Sequence, residues 1–285
     1  MSELEVRTAT VTTAPTRRRR RIGAGEVLSL LFVLFLLVAT VAPGLVSTAD
    51  PNAIDARAAF SPPDAAHWFG TDESGRDVYS RVVAGTGTSL LIGVSATAIG
   101  LGLGLILGVI AGFGGRVLDF TVNRVVEVLF AFPGLLLALL VIVIAGPGPV
   151  TATIAVGLST APGYARIIRG QLVGIRSSAW VESARVLGHS PLRILRRHIL
   201  PNALAPLFVL ATLGIGQAVV WASALSYLGL GAQPPAAEWG AMLSAGRTYI
   251  GSAWWLTVFP GLMIVLTTIA STVLGRGLST RSREA

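Results

Sequence analysis

Charged residues are so sparse along this chain that their gaps define its layout. A polar stretch, residues 1–26, holds Arg17–Arg21, and the run Val27–Val46 then gives 20 residues without a charge. Four more uncharged tracts follow, at 82–115, 128–165, 199–237 and 248–275. A helix of about 20 apolar residues crosses the roughly 30 Å hydrocarbon core of a bilayer. Gly146-Pro147-Gly148-Pro149 cuts the second of the later tracts, since neither residue type sustains a helix there. The pattern predicts six spans, near 27–46, 88–112, 126–145, 150–168, 203–228 and 253–275. Five arginines ahead of an apolar run suit a signal peptide, a nucleic-acid patch or a membrane anchor. The run exceeds a signal h-region, so it reads as an uncleaved first span.

An even number of spans puts both termini on one side, and the arginines choose that side. Eighteen of the 22 fall on the face holding the termini and the loops 113–127 and 166–201; Arg57, Arg76, Arg81 and Arg247 fall on the other. The 14 acidic residues divide evenly, which leaves +11 on the first face and −3 on the second. Short arginine-rich loops stay in the cytoplasm, so that face is expected inside. The net charge of +8 and the isoelectric point near 11.2 therefore report topology rather than nucleic-acid binding.

Composition agrees: 53% hydrophobic, 13% charged, mean hydropathy +0.72. Every basic residue besides the three histidines is Arg. Without lysine the chain cannot be its own P-loop ATPase or form a lysine Schiff base. Without cysteine it has no disulfide framework and no thiolate metal site. No predicted span carries a charge near its centre, which argues against an ion-coupled carrier. His67, His189 and His198 lie in loops without a ligand-spaced partner and read as incidental, and no nucleophile–base pair stands out. Gln217, Ser223 and Ser226 are the main polar groups of the fifth span and suit hydrogen bonds between helices.

Three local patterns carry more. The island Trp180–Asn202 is charged amid apolar runs. Trp180, Ala184 and Leu187 share a helical face, Gly188 suits a helix C-cap, and Ser190-Pro191 restarts a helix with the stripe Leu192, Leu195, Ile199. Pro201 should interrupt that helix or bend it. In the outer segment 47–87, Thr71 can cap a short helix with Asp72 and Glu73 in its first turn, and Asp72/Arg76 and Asp77/Arg81 are i,i+4 pairs. Ala96, Gly100, Gly104, Gly108 and Gly112 recur every fourth residue, a small-residue packing stripe.

Glu182-Ser183-Ala184, three residues, Gly188, nine residues, then His198-Ile199-Leu200-Pro201 resembles the EAA loop of ABC importer permeases, E-A-A-x3-G-x9-I-x-L-P. Ser183 replaces the middle Ala, and His198 stands where the pattern has Ile. HWFGTDESGRDVYSRVVAG (His67–Gly85), FAFPGLLLAL (Phe130–Leu139), PGYARIIRGQ (Pro162–Gln171) and SYLGLGAQPPAAEWGAML (Ser226–Leu243) are similar to blocks of the dipeptide/oligopeptide/nickel importer permeases, in family order.

The resemblance implies an all-α polytopic membrane protein with the type I permease fold and six transmembrane helices. Its parts would be a basic tail 1–26, a first span 27–46, an outer segment 47–87 with a short interfacial helix, a five-helix core 88–275 containing a coupling loop 176–202, and a tail 276–285. Trp180, Glu182, Ser183, Ala184, Arg185, Gly188, Leu200 and Pro201 would belong to the loop that docks on an ATPase. Phe69, Gly70, Thr71, Asp72, Gly75, Arg76 and Asp77 carry the outer family motif. Implied partners are a second related permease, two ATPase subunits and an extracytoplasmic binding protein. The chain itself would hold no cofactor, ATP and magnesium being bound by the ATPases. Peptides are the default cargo, with nickel chelates, glutathione or oligosaccharides as alternatives. A carrier or channel working without an ATPase is the competing class.

Overall fold

The computed structural model describes residues 23–233 and 235–284. Among them every regular element is helical, apart from a single bridge pairing Thr71 with Asp77. The long helices are α1 (Ala24–Val41), α2 (Val78–Phe113), α3 (Gly115–Phe130), α4 (Gly134–Ala145) and α5 (Pro149–Arg176). Two short helices follow, α6 (Ala179–Val186) and α7 (Pro191–Ile194), before α8 (Leu200–Tyr227), α9 (Trp239–Gly246) and α10 (Trp255–Glu284).

Four helical stretches are long and apolar enough to cross a membrane: Ala24–Val41, Val78–Phe113, Pro206–Tyr227 and Trp255–Thr280. The bent pair α3–α4 would make a fifth. Where sequence predicts one span at 126–145, the chain turns by 91° between α3 and α4. Pro133 (φ −53°, ψ 129°) causes this, because its ring pushes Phe132 out of the helical region and starts a new axis. At 12 residues α4 reaches only about 18 Å, too short to span alone. The 28-residue α5 is long enough, but Thr151, Ser159, Thr160, Pro162, Arg166 and Arg169 dilute its apolar character. It is packed against α2, α3, α4 and α8 rather than left to lipid.

The most extensive seam is α2 against α5. A Cβ added at Gly104 would stand 2.5 Å from the Tyr164 Cβ, and one at Gly108 2.9 Å from the Ile168 Cγ2. At Gly112 the distance to the Leu172 Cβ is 3.4 Å, and at Gly100 the first obstacle is the Thr160 hydroxyl. The four glycines form a groove into which one face of α5 is pressed, and dispersion between close backbones replaces a hydrophobic drive that lipid cannot supply.

A second lock joins α3 to α5. The Arg169 guanidinium donates from Nε to Asp119 Oδ1 at 2.6 Å and from Nη2 to Oδ2 at 2.7 Å, and Asn123 also donates to Oδ1. Both partners are about one-third exposed, so the fork holds geometry more than it adds stability. Asp119→Ala should cost only about 1 kcal/mol. It should nonetheless speed amide hydrogen exchange across α3 while leaving α2 and α5 unchanged, which mass spectrometry reads directly.

Candidate functional site

The chain leaves α5 through Ser177 and Ser178 and enters α6 at once. That short turn fixes the rotation of α6, so Val181 and Ala184, three apart, point into the bundle at 0% and 5% exposure. They meet Tyr164, Ile168, Leu172 and Ile194 in one buried cluster. Trp180 and Leu187, which by spacing share a helical face with Ala184, are 42% and 75% exposed, and Val186 is 84% exposed. Glu182, Ser183 and Arg185 are exposed as well. The Ser183 hydroxyl returns to the Ala179 carbonyl at 2.9 Å, as a small polar residue can inside a helix. Behind the loop, Arg176 donates to the Gly112 carbonyl at 3.0 Å and ties it to the end of α2.

The turn is a Schellman motif. The His189 N–H reaches the Ala184 carbonyl at 3.1 Å, the Gly188 N–H reaches Arg185 at 2.9 Å, and Gly188 sits at φ +76°. Ser190 restarts the helix, its carbonyl accepting from the Ile194 N–H at 3.0 Å. After α7 one π-helical turn, Leu195–Ile199, leads directly into α8. The backbone stays helical through Leu200 and Pro201, so Pro201 does not interrupt the helix. The side chains of His198, Leu200 and Pro201 lie outside the described residues.

At the other end of the bundle the segment between α1 and α2 forms a clasp. Its helix does not start after Thr71; α2 starts at Val78, capped by Asp77, whose carboxylate accepts from the Ser80 N–H at 2.8 Å. Residues 71–77 make a turn because the Asp72 carboxylate binds the N–H groups of Ser74 and Arg76, each at 2.9 Å. Asp72 also pairs with Arg76 Nε at 2.7 Å. Gly75, at φ +74°, backs onto the Asp55 carbonyl, where any side chain would collide.

The expected Asp77/Arg81 pair does not form. The buried Arg81 turns to Asp72 at 3.6 Å and donates to the carbonyls of Pro51 and Pro235, while Asp77 takes His67 Nδ1 at 3.0 Å. His67 is thus a clasp residue rather than an incidental one. Thr71 donates to the Ala58 carbonyl and its own carbonyl accepts from Trp255 Nε1 at 3.0 Å; Gly70 lies against the same indole. Phe69 stacks on Phe259 with ring centres 3.8 Å apart. Asp77→Ala should remove the helix cap and lower stability by about 1 kcal/mol, seen as a lower melting midpoint with helix content unchanged.

Sequence reasoning missed the anchor of this end. Glu238 is 1% exposed and caps α9 through the N–H groups of Gly240 and Ala241, at 2.8 and 2.9 Å. Trp239 is fully buried and donates from Nε1 to the Val82 carbonyl at 3.0 Å. The signal available was a lone acid before Trp-Gly, a capping residue in an otherwise uncharged stretch.

Between the two ends, the bend at α3–α4 opens a cavity of about 290 Å³. Phe130, Phe132, Ser159, Thr160, Gln217 and Trp221 line it, and Arg166 lies 4.3 Å from the Phe130 ring centre at its edge. Gln217 therefore faces open space, whereas Ser223 and Ser226 are buried against Gly240. Among the described residues no group of three His, Cys, Asp or Glu side chains is placed to hold a metal.

Residues 104–284 match the family described as the binding-protein-dependent transport system inner membrane component. The chain belongs to that family of permeases. It is a multi-pass component of the bacterial inner membrane, with the helical fold of ABC importer permeases. The permease is 41% identical over 250 residues to the probable D,D-dipeptide transport system permease protein DdpC of Escherichia coli K12, covering 88% of this chain and 84% of that protein. It is 40% identical to the dipeptide transport system permease protein DppC of Alkalihalophilus pseudofirmus, covering 87% and 82%. The glutathione transport system permease protein GsiD of Pectobacterium atrosepticum is also 40% identical, covering 87% and 83%. Among solved structures, the inward-facing MetNI methionine ABC transporter superposes with a TM-score of 0.58 at 23% identity, covering 70% of this chain and 95% of that one. That likeness concerns fold alone.

Proposed function

We propose that this permease forms half of the membrane pathway of an ATP-driven peptide importer and that α6, the Gly188 turn and α7 are its socket for an ATPase subunit. The observation behind the socket is its two-sidedness. Val181, Ala184 and Ile194 are sunk in the bundle, while Trp180, Val186 and Leu187 are turned outward among arginines. Apolar side chains exposed on a hairpin that packing and a Schellman turn hold rigid suit a protein partner. In this reading six segments cross the membrane, α5 and the bent α3–α4 pair among them, and both termini and the socket face the cytoplasm.

The full assembly is this chain, a related second permease, two ATPases that hold ATP and magnesium, and an extracytoplasmic binding protein that delivers cargo. The chain itself catalyses no reaction. The cavity beside the α3–α4 bend, with aromatic rings and the Gln217 amide, is the stretch of this half-pathway suited to a peptide backbone and mixed side chains. The relatedness to a glutathione permease gives a second reading of the cargo, a tripeptide thiol.

Affinity purification of tagged chain together with its partners tests the socket. Leu187→Glu should strip the ATPases from the complex and leave the second permease bound. ATPases retained at wild-type level by Leu187→Glu and by Val186→Glu would refute it.

A further inference from the structure

Three arginines lie in the C-terminal half of α5, and two of them are engaged by protein groups. Arg169 forks onto Asp119, and Arg176 donates to the Gly112 carbonyl. Arg166 differs. Its side chain is exposed, its Cζ lies over the Phe130 ring, and among the described residues it forms no ion pair. The acids of neighbouring α3 are already taken, Asp119 by Arg169 and Glu127 by Arg124 at 3.4 Å.

The ring explains how Arg166 is held. Phe130 is the last residue of α3, and its ring rests against α5 where Gly163 has no side chain; a Cβ built there stands 3.8 Å from Phe130 Cε2. Arg166 follows Gly163 by three residues, about one helical turn, and so meets the same ring. Contact with a ring face occupies none of the five guanidinium N–H donors, which stay available to a planar anion. With α5 read as a membrane span, such a charge belongs beside a partner or a water-filled cavity rather than in lipid.

The cavity is there. Phe130 is part of the lining of the 290 Å³ space at the α3–α4 bend, and Arg166 stands at its edge. None of the lining residues is charged; Phe132 and Trp221 supply apolar walls, and Gln217 an amide that both donates and accepts. A peptide in this space carries one group that matches a ring-held guanidinium without a counter-ion, its terminal carboxylate, which an arginine fork binds through two N–H groups. Building on the reading of the cavity as part of a peptide pathway, we propose that Arg166 is a specificity residue of the permease itself. It holds the C-terminal carboxylate of the passing peptide, and Phe130 keeps the guanidinium in place. Cargo selection is then not left to the binding protein alone.

The probe is photoleucyl-alanine, a dipeptide with a diazirine on its first side chain, compared with the same dipeptide amidated at its C-terminus. Each is irradiated at millimolar concentration with the purified complex of the permease and its partners, without binding protein, and the labelled residues are mapped by mass spectrometry. The free acid is expected to label the segments holding Phe130, Ile167 and Trp221. The amide should label them about tenfold less, the loss of one charge-assisted pair. Arg166→Gln should bring the acid down to the level of the amide and leave the amide unchanged, and Arg166→Lys should restore part of the acid's advantage. Arg124→Gln, an exposed arginine of α3, should label like wild type. Equal labelling by acid and amide in the wild type, or an acid preference that survives Arg166→Gln, would overturn the role of Arg166 and leave the cavity as a peptide route. Label absent from the cavity with both probes would overturn the peptide reading of the cavity, and the role of Arg166 with it.

Discussion

Gly188→Leu is expected to abolish substrate-stimulated ATP hydrolysis and uptake in the assembled importer while the protein still inserts and purifies with its partner permease. The reason is conformational. Nothing lies within 4 Å of a Cβ placed at Gly188, so crowding is not the obstacle; φ of +76° is. A leucine there costs about 1–2 kcal/mol in the left-handed region. The loop escapes the cost by unwinding its Schellman turn, which releases the carbonyls of Ala184 and Arg185 and swings Val186 and Leu187 away from their presented positions. Gly188→Asn, tolerated at such φ, should retain most of the coupling. A leucine variant as coupled as wild type in ATPase assays would remove the turn from the account.

Gly104→Leu should be the most damaging change in the body of the protein. Its first side-chain atom would lie 2.5 Å from the Tyr164 Cβ and 3.0 Å from the Ala165 amide nitrogen, and backbone cannot move aside as a flexible side chain can. Relief requires α2 and α5 to part along the seam, which also loosens Gly100, Gly108 and Gly112. A cost of about 3 kcal/mol or more follows, with little monodisperse protein recovered from the membrane. Gly102→Leu, two residues away with nothing within 4 Å, should be recovered like wild type. Equal recovery of the two leucine variants would show that the seam is not closely packed.

Local chemistry made some of this legible in the sequence and hid the rest. Gly188 and Ser190 announce a turn and a restart because each needs only its immediate neighbours. The four-residue spacing of Gly100–Gly112 likewise points to a helix groove without naming its occupant. What sequence could not give is rotation and partnership. Trp180 and Leu187 share a face with Ala184 by periodicity, yet the two-residue link from α5 turns them outward and buries Val181 instead. Asp77 and Arg81 have ideal helical spacing, but Asp77 is spent on capping α2, and Arg81 finds Asp72 and two carbonyls from distant loops. The run 126–145 is apolar throughout except Glu127, so hydropathy alone reads it as one span, and only Pro133 marks the 91° bend. Asp119 and Arg169 lie 50 residues apart, and no local rule pairs them.

Uptake into proteoliposomes tests most directly whether this chain is a passive half-pathway driven through its hairpin. A labelled dipeptide is supplied with the binding protein outside and ATP inside, to vesicles holding either this chain alone or the chain with its second permease and both ATPases. The account predicts uptake only in the complete vesicles, abolished when ATP is replaced by a non-hydrolysable analogue. Uptake by the chain alone without nucleotide would contradict it.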